Sequence, residues 1–161
     1  MDEFALDILE QDAKGRNVSA NEVINDLILH ELSQGTILKS RKMVRINLLT
    51  LKLLTEALTD EKIVEIGEEM ANDALQKDLP FEVAGELSLA AVQKTMRFLS
   101  GHWPFEYSEV EHEGKKVIIL AHYVGRRYSL LLGTYWKARL QSVGAKVDYS
   151  FDNDAVIFRF E

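Results

Sequence analysis

The apolar pattern in AKVDYSFDNDAVIFRFE, residues 145–161, constrains the fold of this chain most strongly. Two runs alternate apolar and polar residues, as strands with one buried face do. An Asn153-Asp154 loop between the runs places six apolar side chains on one face of a hairpin. They are Val147, Tyr149, Phe151, Val156, Phe158 and Phe160. This face needs a cover, and a helix over residues 126–143 is predicted to provide it. Its covering residues are Leu130, Leu131, Tyr135 and Ala138.

A second pair of strands is predicted just upstream, in FEYSEVEHEGKKVIILAHY, residues 105–123. A Glu113-Gly114 turn between them sets Glu111 opposite Lys116, which is a favourable cross-strand pair. The strand over residues 117–123 is apolar on both faces, which predicts a central position in the sheet. Residues 102–161 therefore predict a ββαββ arrangement.

Helical periodicity dominates the rest of the chain. A helix over residues 3–14 is predicted to end at Gly15 in a left-handed cap, and Ser19 with Glu22 forms a capping box for a second helix that reaches about residue 33. Further helices are predicted over residues 46–58, from Thr59 to a break at Asp78-Leu79-Pro80, around residues 81–87, and from Ser88 to about residue 100. In the first of these, Leu51, Leu54 and Leu58 share one face.

The predicted fold class is thus α+β, with helices followed by a small antiparallel sheet that a helix covers. We expect three parts: a helical hairpin (residues 1–35), a basic connector with a helical bundle (residues 36–101), and the ββαββ half (residues 102–161). The bundle and the sheet can share one core.

Composition narrows the functional classes. The 161 residues include no cysteine, which excludes disulfides, thiol nucleophiles and cysteine-ligated metal sites. The acidic start of the chain is unlike a signal peptide, and no apolar run is long enough to span a bilayer. These features predict a cytoplasmic protein with no membrane partner.

Charge is distributed in blocks along the chain. The net charge is −7, but residues 38–55 carry five basic and no acidic side chains (+5), whereas residues 56–113 carry four basic and fourteen acidic ones (−10). Residues 1–37 carry −6 and residues 114–161 carry +4. The two basic blocks could attract a polyanion that the chain as a whole repels.

The segments FALDILEQDAK, GRN and VSANEVINDLILHEL form a short apolar helix, a turn and a capped second helix. This stretch resembles the helical portion of ribbon-helix-helix proteins. The resemblance implies a homodimer with a four-helix core, in which Ser19, Ala20 and Asn21 face DNA phosphate. That family reads bases with a strand before the first helix, whereas only three residues precede Phe4 here. Either the chain has been shortened at its start, or the hairpin keeps the dimer core without base readout.

The later run LAHYVGRRYSLLLGTYWKARLQSVGAKVDYSFDNDAVIFRF looks like the end of a group of uncharacterised archaeal proteins with a similar N-terminal hairpin. Its pattern is a strand ending in His, then Gly, a basic residue, an aromatic residue, Ser, a helix and a hairpin. This likeness implies a regulator-like protein.

Two basic clusters are candidate anion sites. Lys39, Arg41, Lys42 and Arg45 form the densest one, and they suit phosphate contacts that carry no base specificity. The segment Gly125-Arg126-Arg127 lies at a strand-to-helix turn, where backbone N–H groups and two guanidiniums could bind a phosphate or carboxylate ligand. Each cluster can equally be an exposed, solvated surface.

Catalytic and metal-binding patterns are weak. His102, His112 and His122 recur at intervals of ten, which is not the close spacing of a metal site. His122 is expected to be semi-buried and hydrogen-bonded near the sheet end, and Ser129 lacks the context of a nucleophile. The run Glu65, Glu68, Glu69 and Asp73 is expected to face solvent. We therefore expect no metal, no cofactor and no enzymatic activity.

The function predicted from the sequence is that of a DNA-associated transcriptional regulator. It would act as a homodimer, with a C-terminal half that senses a small ligand or a protein partner. The alternative is a protein-interaction or ligand-binding module that never contacts DNA.

Overall fold

The computed structural model describes residues 3–25, 27–28, 46–73, 77–100 and 103–161. The chain divides into two compact units, Met1–Val44 and Arg45–Glu161. The class is α+β, as predicted, with helices preceding a four-stranded antiparallel sheet.

The N-terminal unit contains a helical hairpin. Helix α1 spans Glu3–Arg16, and helix α2 is described over residues 20–25 and 27–28. Gly15 was predicted to cap α1, but this prediction is wrong because Gly15 is helical and Asn17 takes the left-handed conformation (φ 55°). The Val18 N–H bonds the Ala13 carbonyl at 3.0 Å, which closes a Schellman turn. The predicted end of α2 near residue 33 lies outside the described residues.

The C-terminal unit contains the remaining helices and all the described strands. Its helices are α3 (Leu48–Glu56), α4 (Asp60–Asn72), α5 (Leu79–Ala84), α6 (Leu89–Ser100) and α7 (Arg126–Ser142). Its strands are β1 (Glu106–His112), β2 (Lys115–Ala121), β3 (Val147–Phe151) and β4 (Ala155–Phe160).

The sheet has the order β1-β2-β4-β3, and its register confirms the sequence prediction. Glu111 pairs with Lys116 across the first hairpin, and β2 is central, as its two apolar faces indicated. In the second hairpin the pairs Val147–Phe160, Tyr149–Phe158 and Phe151–Val156 put all six predicted side chains on one face. Because β4 lies between β2 and β3, the chain crosses the sheet through α7 before the last hairpin forms.

Helix α7 covers this face and is itself buried on several sides. Tyr135, Trp136 and Leu140 are almost fully enclosed, while the predicted contacts Leu131 and Ala138 are only half-buried. A methyl group on Gly133 would overlap the Tyr149 ring, so the helix approaches β3 closely at this glycine. On α4, a methyl group on Gly67 would lie 3.0 Å from Thr134 Cβ of α7. Helix α7 thus packs between the sheet and α4.

Two helix predictions need correction. The leucines predicted to share one face, Leu51, Leu54 and Leu58, are not equally buried, because Leu54 is exposed and the buried residue of α3 is Thr55. The buried Thr55 hydroxyl has a hydrogen-bond acceptor, because it can donate to the Leu51 or the Lys52 carbonyl of its own helix, both at 3.0 Å. Helix α5 begins at Leu79 rather than Phe81, because proline is tolerated in the first turn of a helix.

Candidate functional site

Charged side chains from two helices of the C-terminal unit meet at the N-terminus of α7. Gly125 precedes the helix with φ 124° and ψ 168°, a conformation that L side chains rarely adopt. This glycine lets the chain turn from the end of β2 into α7, where Arg126 and Arg127 occupy the first helical turn. Both guanidiniums therefore leave the same end of one helix.

The two guanidiniums converge on one carboxylate, that of Asp60 at the start of α4. Arg126 Nη1 lies 2.7 Å from Asp60 Oδ2, and Arg127 Nε lies 3.3 Å from Asp60 Oδ1. The hydrogen bond from Arg126 is the main cause that holds the pKa of the Asp60 carboxyl below its usual value. The predicted anion site thus has an internal carboxylate as its counter-ion.

The same arginines also contact two other elements. Arg127 donates through Nη1 to the Glu56 carbonyl at the end of α3, where a cation is favoured by the helix dipole. The guanidinium of Arg126 lies over the Phe151 ring at the end of β3, 5.3 Å from its centroid. We call these four residues with Asp60, namely Glu56, Asp60, Arg126, Arg127 and Phe151, the arginine junction.

His122 lies next to this junction in sequence and is fully buried, rather than semi-buried as predicted. Its Nε2 atom is 2.8 Å from Ser129 Oγ, and its Nδ1 atom accepts the Val124 N–H at 3.3 Å. Since Nδ1 accepts, the proton of the neutral imidazole resides on Nε2, and Nε2 donates to Ser129. The imidazole therefore cannot act as a base toward the Ser129 hydroxyl without giving up the bond from Val124.

Burial lowers the pKa of His122 below its ordinary value, although Asp154 and Asp152 oppose that change. The edge of the ring meets Tyr128 at a centroid distance of 5.0 Å, and burial raises the pKa of Tyr128 well above its usual value. Neither the imidazole nor the Ser129 hydroxyl is open to solvent. The hydrogen bond between neutral His122 and Ser129 stabilises the turn between β2 and α7.

The start of α2 is the other predicted site within the described residues. Ser19 Oγ accepts the Glu22 N–H at 3.2 Å, and Glu22 Oε2 accepts the Ser19 N–H at 2.8 Å, so the predicted capping box is confirmed. Asn21 is exposed and Ala20 half-buried. A shallow groove of about 590 Å³ follows the hairpin turn and is lined by Lys14, Asn17, Ser19, Ala20 and neighbouring residues. This helix start is accessible from solvent but already holds one carboxylate.

The other candidates are placed as follows. Lys39, Arg41, Lys42 and Arg45, like His102, lie outside the described residues. His112 pairs with the first residue of β2 and His122 follows the last, so the strand separates them. Within the described part of the chain, no three His, Asp or Glu side chains come close enough to hold a metal ion. Glu65, Glu68, Glu69 and Asp73 are exposed on α4, as predicted.

Two charged residues of this region were not predicted from the sequence: Asp60, which pairs with α7, and Arg139, which belongs to α7. Asp60 was not identified from the sequence, which predicted only that Thr59 begins this helix. Arg139 is buried and donates to the Lys77 carbonyl at 2.9 Å and to the Ala71 carbonyl at 3.4 Å. The only sequence signal for Arg139 is its place on the apolar helix α7, where a charged residue needs acceptors.

A comparison of this chain with protein-family models, curated proteins and solved structures finds no match. Among the helices in the described ranges, none combines the length and apolarity needed to cross a bilayer.

Proposed function

We propose that this protein is a homodimeric, DNA-associated transcriptional regulator of the cytoplasm. The N-terminal hairpin provides dimer contacts, the basic connector provides phosphate contacts, and the C-terminal unit senses a small anionic ligand or a protein partner. The observation that carries this proposal is the unburied apolar surface of the hairpin.

In its described residues, the hairpin leaves apolar side chains exposed. Ala13 and Val23 are buried, but Ile8, Leu27 and Ile28 are each 50–52% exposed. Units of about 40 residues usually need oligomerisation or cross-links to be stable, and this chain has no cysteine. A second hairpin would cover these residues, as in the ribbon-helix-helix proteins that the segment resembles.

The DNA contacts are proposed from charge. Residues 38–55 carry +5 between two strongly acidic blocks, and Lys39, Arg41, Lys42 and Arg45 supply four of these charges. Two copies in a dimer would present eight such side chains to one duplex, with the start of α2 adding Ser19, Ala20 and Asn21. Contacts of this kind give affinity without base specificity.

A sensing role for the C-terminal unit is proposed at Gly125, Arg126 and Arg127. Asp60 already neutralises both guanidiniums, so an anionic ligand would bind by displacing this carboxylate. The exchange would loosen the link between α4 and α7 and thereby report the ligand to the rest of the unit.

Binding of the full chain to generic duplex DNA at about 50 mM and about 200 mM salt tests the DNA proposal. We expect the affinity to fall steeply with salt, because each phosphate contact releases a counter-ion. The charge reversals Arg41→Glu and Arg45→Glu should weaken binding at low salt, whereas Arg159→Glu, a reversal of an exposed arginine of β4, should not. Absence of binding at the lower salt concentration would contradict the DNA function.

One observation favours the alternative, an interaction module that does not contact DNA. The Glu22 carboxylate already accepts the Ser19 N–H at the start of α2, where a phosphate would otherwise bind. Under that alternative, Glu22→Gln should leave DNA binding absent at every salt concentration. Under the DNA proposal, the same change should strengthen binding.

A further inference from the structure

Helix α3 presents an apolar face to solvent. Its buried position is Thr55, which is only 5% exposed. Successive residues of a helix are rotated by about 100°, so Leu53 lies nearly opposite Thr55, and Leu49 lies one turn before Leu53 on the same side. Leu49 is 66% exposed and Leu53 58% exposed. Helix α3 therefore carries leucine on its outward side as well as on the side of Thr55, where Leu51 is half-buried.

Two more apolar residues extend this stripe. Leu54 flanks it at 55% exposure, and Ile46 just before the helix is 46% exposed. The spacing from Ile46 to Leu49 to Leu53 is three and then four residues, which is the spacing by which helices pack against one another. We call Ile46, Leu49, Leu53 and Leu54 the α3 leucine face.

The inner side of α3 is held on its own unit. Arg127 binds the Glu56 carbonyl at the C-terminus of the helix, and the Thr55 side chain is buried. These contacts orient α3 with the leucine face outward. Exposed apolar patches of this kind mark interaction surfaces in proteins.

We infer that the α3 leucine face is an interface between two copies of this chain, formed by antiparallel packing of α3 against its symmetry mate. This inference goes beyond the proposed DNA function, and it concerns a different surface from that of the hairpin. It holds whether or not the hairpin dimerises.

The chemistry of the face fits a second copy. The centre of the face is purely aliphatic. One rim carries Lys52 and Glu56, whose Nζ and Oε1 atoms lie 3.8 Å apart. An antiparallel copy would bring Lys52 of one chain near Glu56 of the other, so the rim is complementary to itself, as a two-fold interface requires.

Nucleic acid fits this face less well. It would need aromatic or cationic side chains at the centre of the face, where only aliphatic ones lie.

The size of the face sets its role in the dimer. Apolar patches of about 300–600 Å² are the largest on ordinary monomers, while a standard interface buries about 800 Å² per partner. Four aliphatic side chains, each about half exposed, would form the central contact of such an interface. The remaining area would come from the rim of α3 and its surroundings.

A cysteine placed on the face gives a direct test, because the natural chain contains no cysteine. Packed helix axes lie about 8–10 Å apart, so facing Cα atoms come within the range of about 4.4–6.8 Å that a disulfide spans. We expect dilute full-length Leu53→Cys protein to form an interchain disulfide under mild oxidation. Leu87→Cys is the matched control, since Leu87 is 61% exposed and belongs to the segment between α5 and α6 rather than to α3.

The double variant Leu49→Asp and Leu53→Asp complements this test. Sedimentation analysis should show a dissociation constant at least about ten-fold higher than that of the natural chain, because the centre of an interface carries most of its binding energy. Circular dichroism should be unchanged, since both residues are exposed. A chain whose Leu53→Cys variant cross-links no faster than Leu87→Cys overturns the inference.

The outcomes also separate this interface from the hairpin. If only the hairpin dimerises, Leu27→Asp abolishes the dimer and Leu53→Cys does not cross-link. If only α3 dimerises, the dimer survives Leu27→Asp and is lost in the double aspartate variant. If the natural chain sediments as a monomer at all concentrations, neither the hairpin nor the leucine face is a dimer interface. The leucine face would then be a candidate site for a different protein.

Discussion

At the scale of single residues, His122 shows how a titratable group is made part of a folded turn. The imidazole Nδ1 atom accepts the Val124 N–H, and the imidazole Nε2 atom donates to Ser129 Oγ. The backbone N–H of His122 donates to the Asp154 carbonyl at 2.6 Å. A second proton would go to Nδ1 and place two donors face to face. The fold therefore binds the neutral imidazole and excludes the imidazolium.

The stability of the C-terminal unit should therefore fall as the pH falls below about 6.5. The unfolded chain protonates His122 near that pH, whereas burial lowers the pKa of His122 in the fold, so the unfolded state binds more protons. The slope for one proton is at most about 1.4 kcal/mol per pH unit. Urea unfolding at about pH 7 and about pH 5 measures this loss.

Two variants isolate the contribution of His122. His122→Asn keeps an acceptor for the Val124 N–H but does not titrate, so its stability should depend less on pH across this range. His112→Asn, at an exposed position of β1, should keep the pH dependence of the natural chain. Equal slopes in the natural chain and the His122 variant would show that this imidazole does not contribute.

At the scale of elements, the arginine junction joins parts of the fold that are distant in sequence. One carboxylate at the start of α4 binds the first turn of α7, and the same turn holds the end of α3 and stacks on the end of β3. These contacts are partly exposed, so their main effect is to fix helix ends in register rather than to supply a large stabilisation.

Asp60→Asn should lower the melting temperature at low salt, because two guanidiniums lose their shared counter-charge. The difference from the natural chain should shrink in about 1 M salt, where the Debye length is about 3 Å. Glu65→Gln is the control, since Glu65 pairs only within α4, with Lys62 at 2.7 Å. An effect of Asp60→Asn that does not change with salt would exclude an electrostatic origin.

Elements were predictable where a local pattern determined the outcome. The register of the last hairpin followed from alternation and a short loop, and the caps at Ser19 and Ser88 followed from residue type, with Ser88 Oγ accepting the Ala91 N–H at 3.1 Å. The inward face of α3 was not predictable, because a helix with leucine on nearly every side has no unique buried direction. Its orientation depends on Arg127 and Glu56, which are far apart in the sequence.

At the scale of the whole molecule, α7 is shared by the helices and the sheet of the C-terminal unit. Gly67 of α4 lies against Thr134 of α7, and Gly133 of α7 lies against Tyr149 of β3. Interiors packed at this density transmit a local change to all their neighbours. We therefore expect Arg45–Glu161 to unfold as one cooperative body.

Gly133→Ala tests this expectation. The added methyl group meets the Tyr149 ring and should destabilise the unit by about 1–3 kcal/mol, the usual range for overpacking. Amide hydrogen exchange should accelerate in α4 as well as in β3 and β4. Gly15→Ala, in a helix where nothing lies within 4 Å, should not destabilise the chain. Faster exchange in β3 and β4 with unchanged protection of α4 would indicate two separable cores.

The candidate site was only partly predictable for the same topological reason. The sequence marked Gly125, Arg126 and Arg127 by composition and by their place at a strand-to-helix turn. It did not mark Asp60, because that residue lies 66 positions before Arg126 and only the packing of α4 on α7 brings the two together. Charges that neutralise one another across a fold look like separate surface patches in a sequence.

The placement of β4 between β2 and β3 has a consequence for biosynthesis. A ribosome makes α3 to α6 and the first hairpin well before it releases α7, and it releases β4 last among these elements. Until then Ile118 and Leu120 on β2 lack their neighbours Phe158 and Val156, and α4 lacks α7. The nascent chain thus carries exposed apolar surface until its last strand is made, the condition under which chaperones bind.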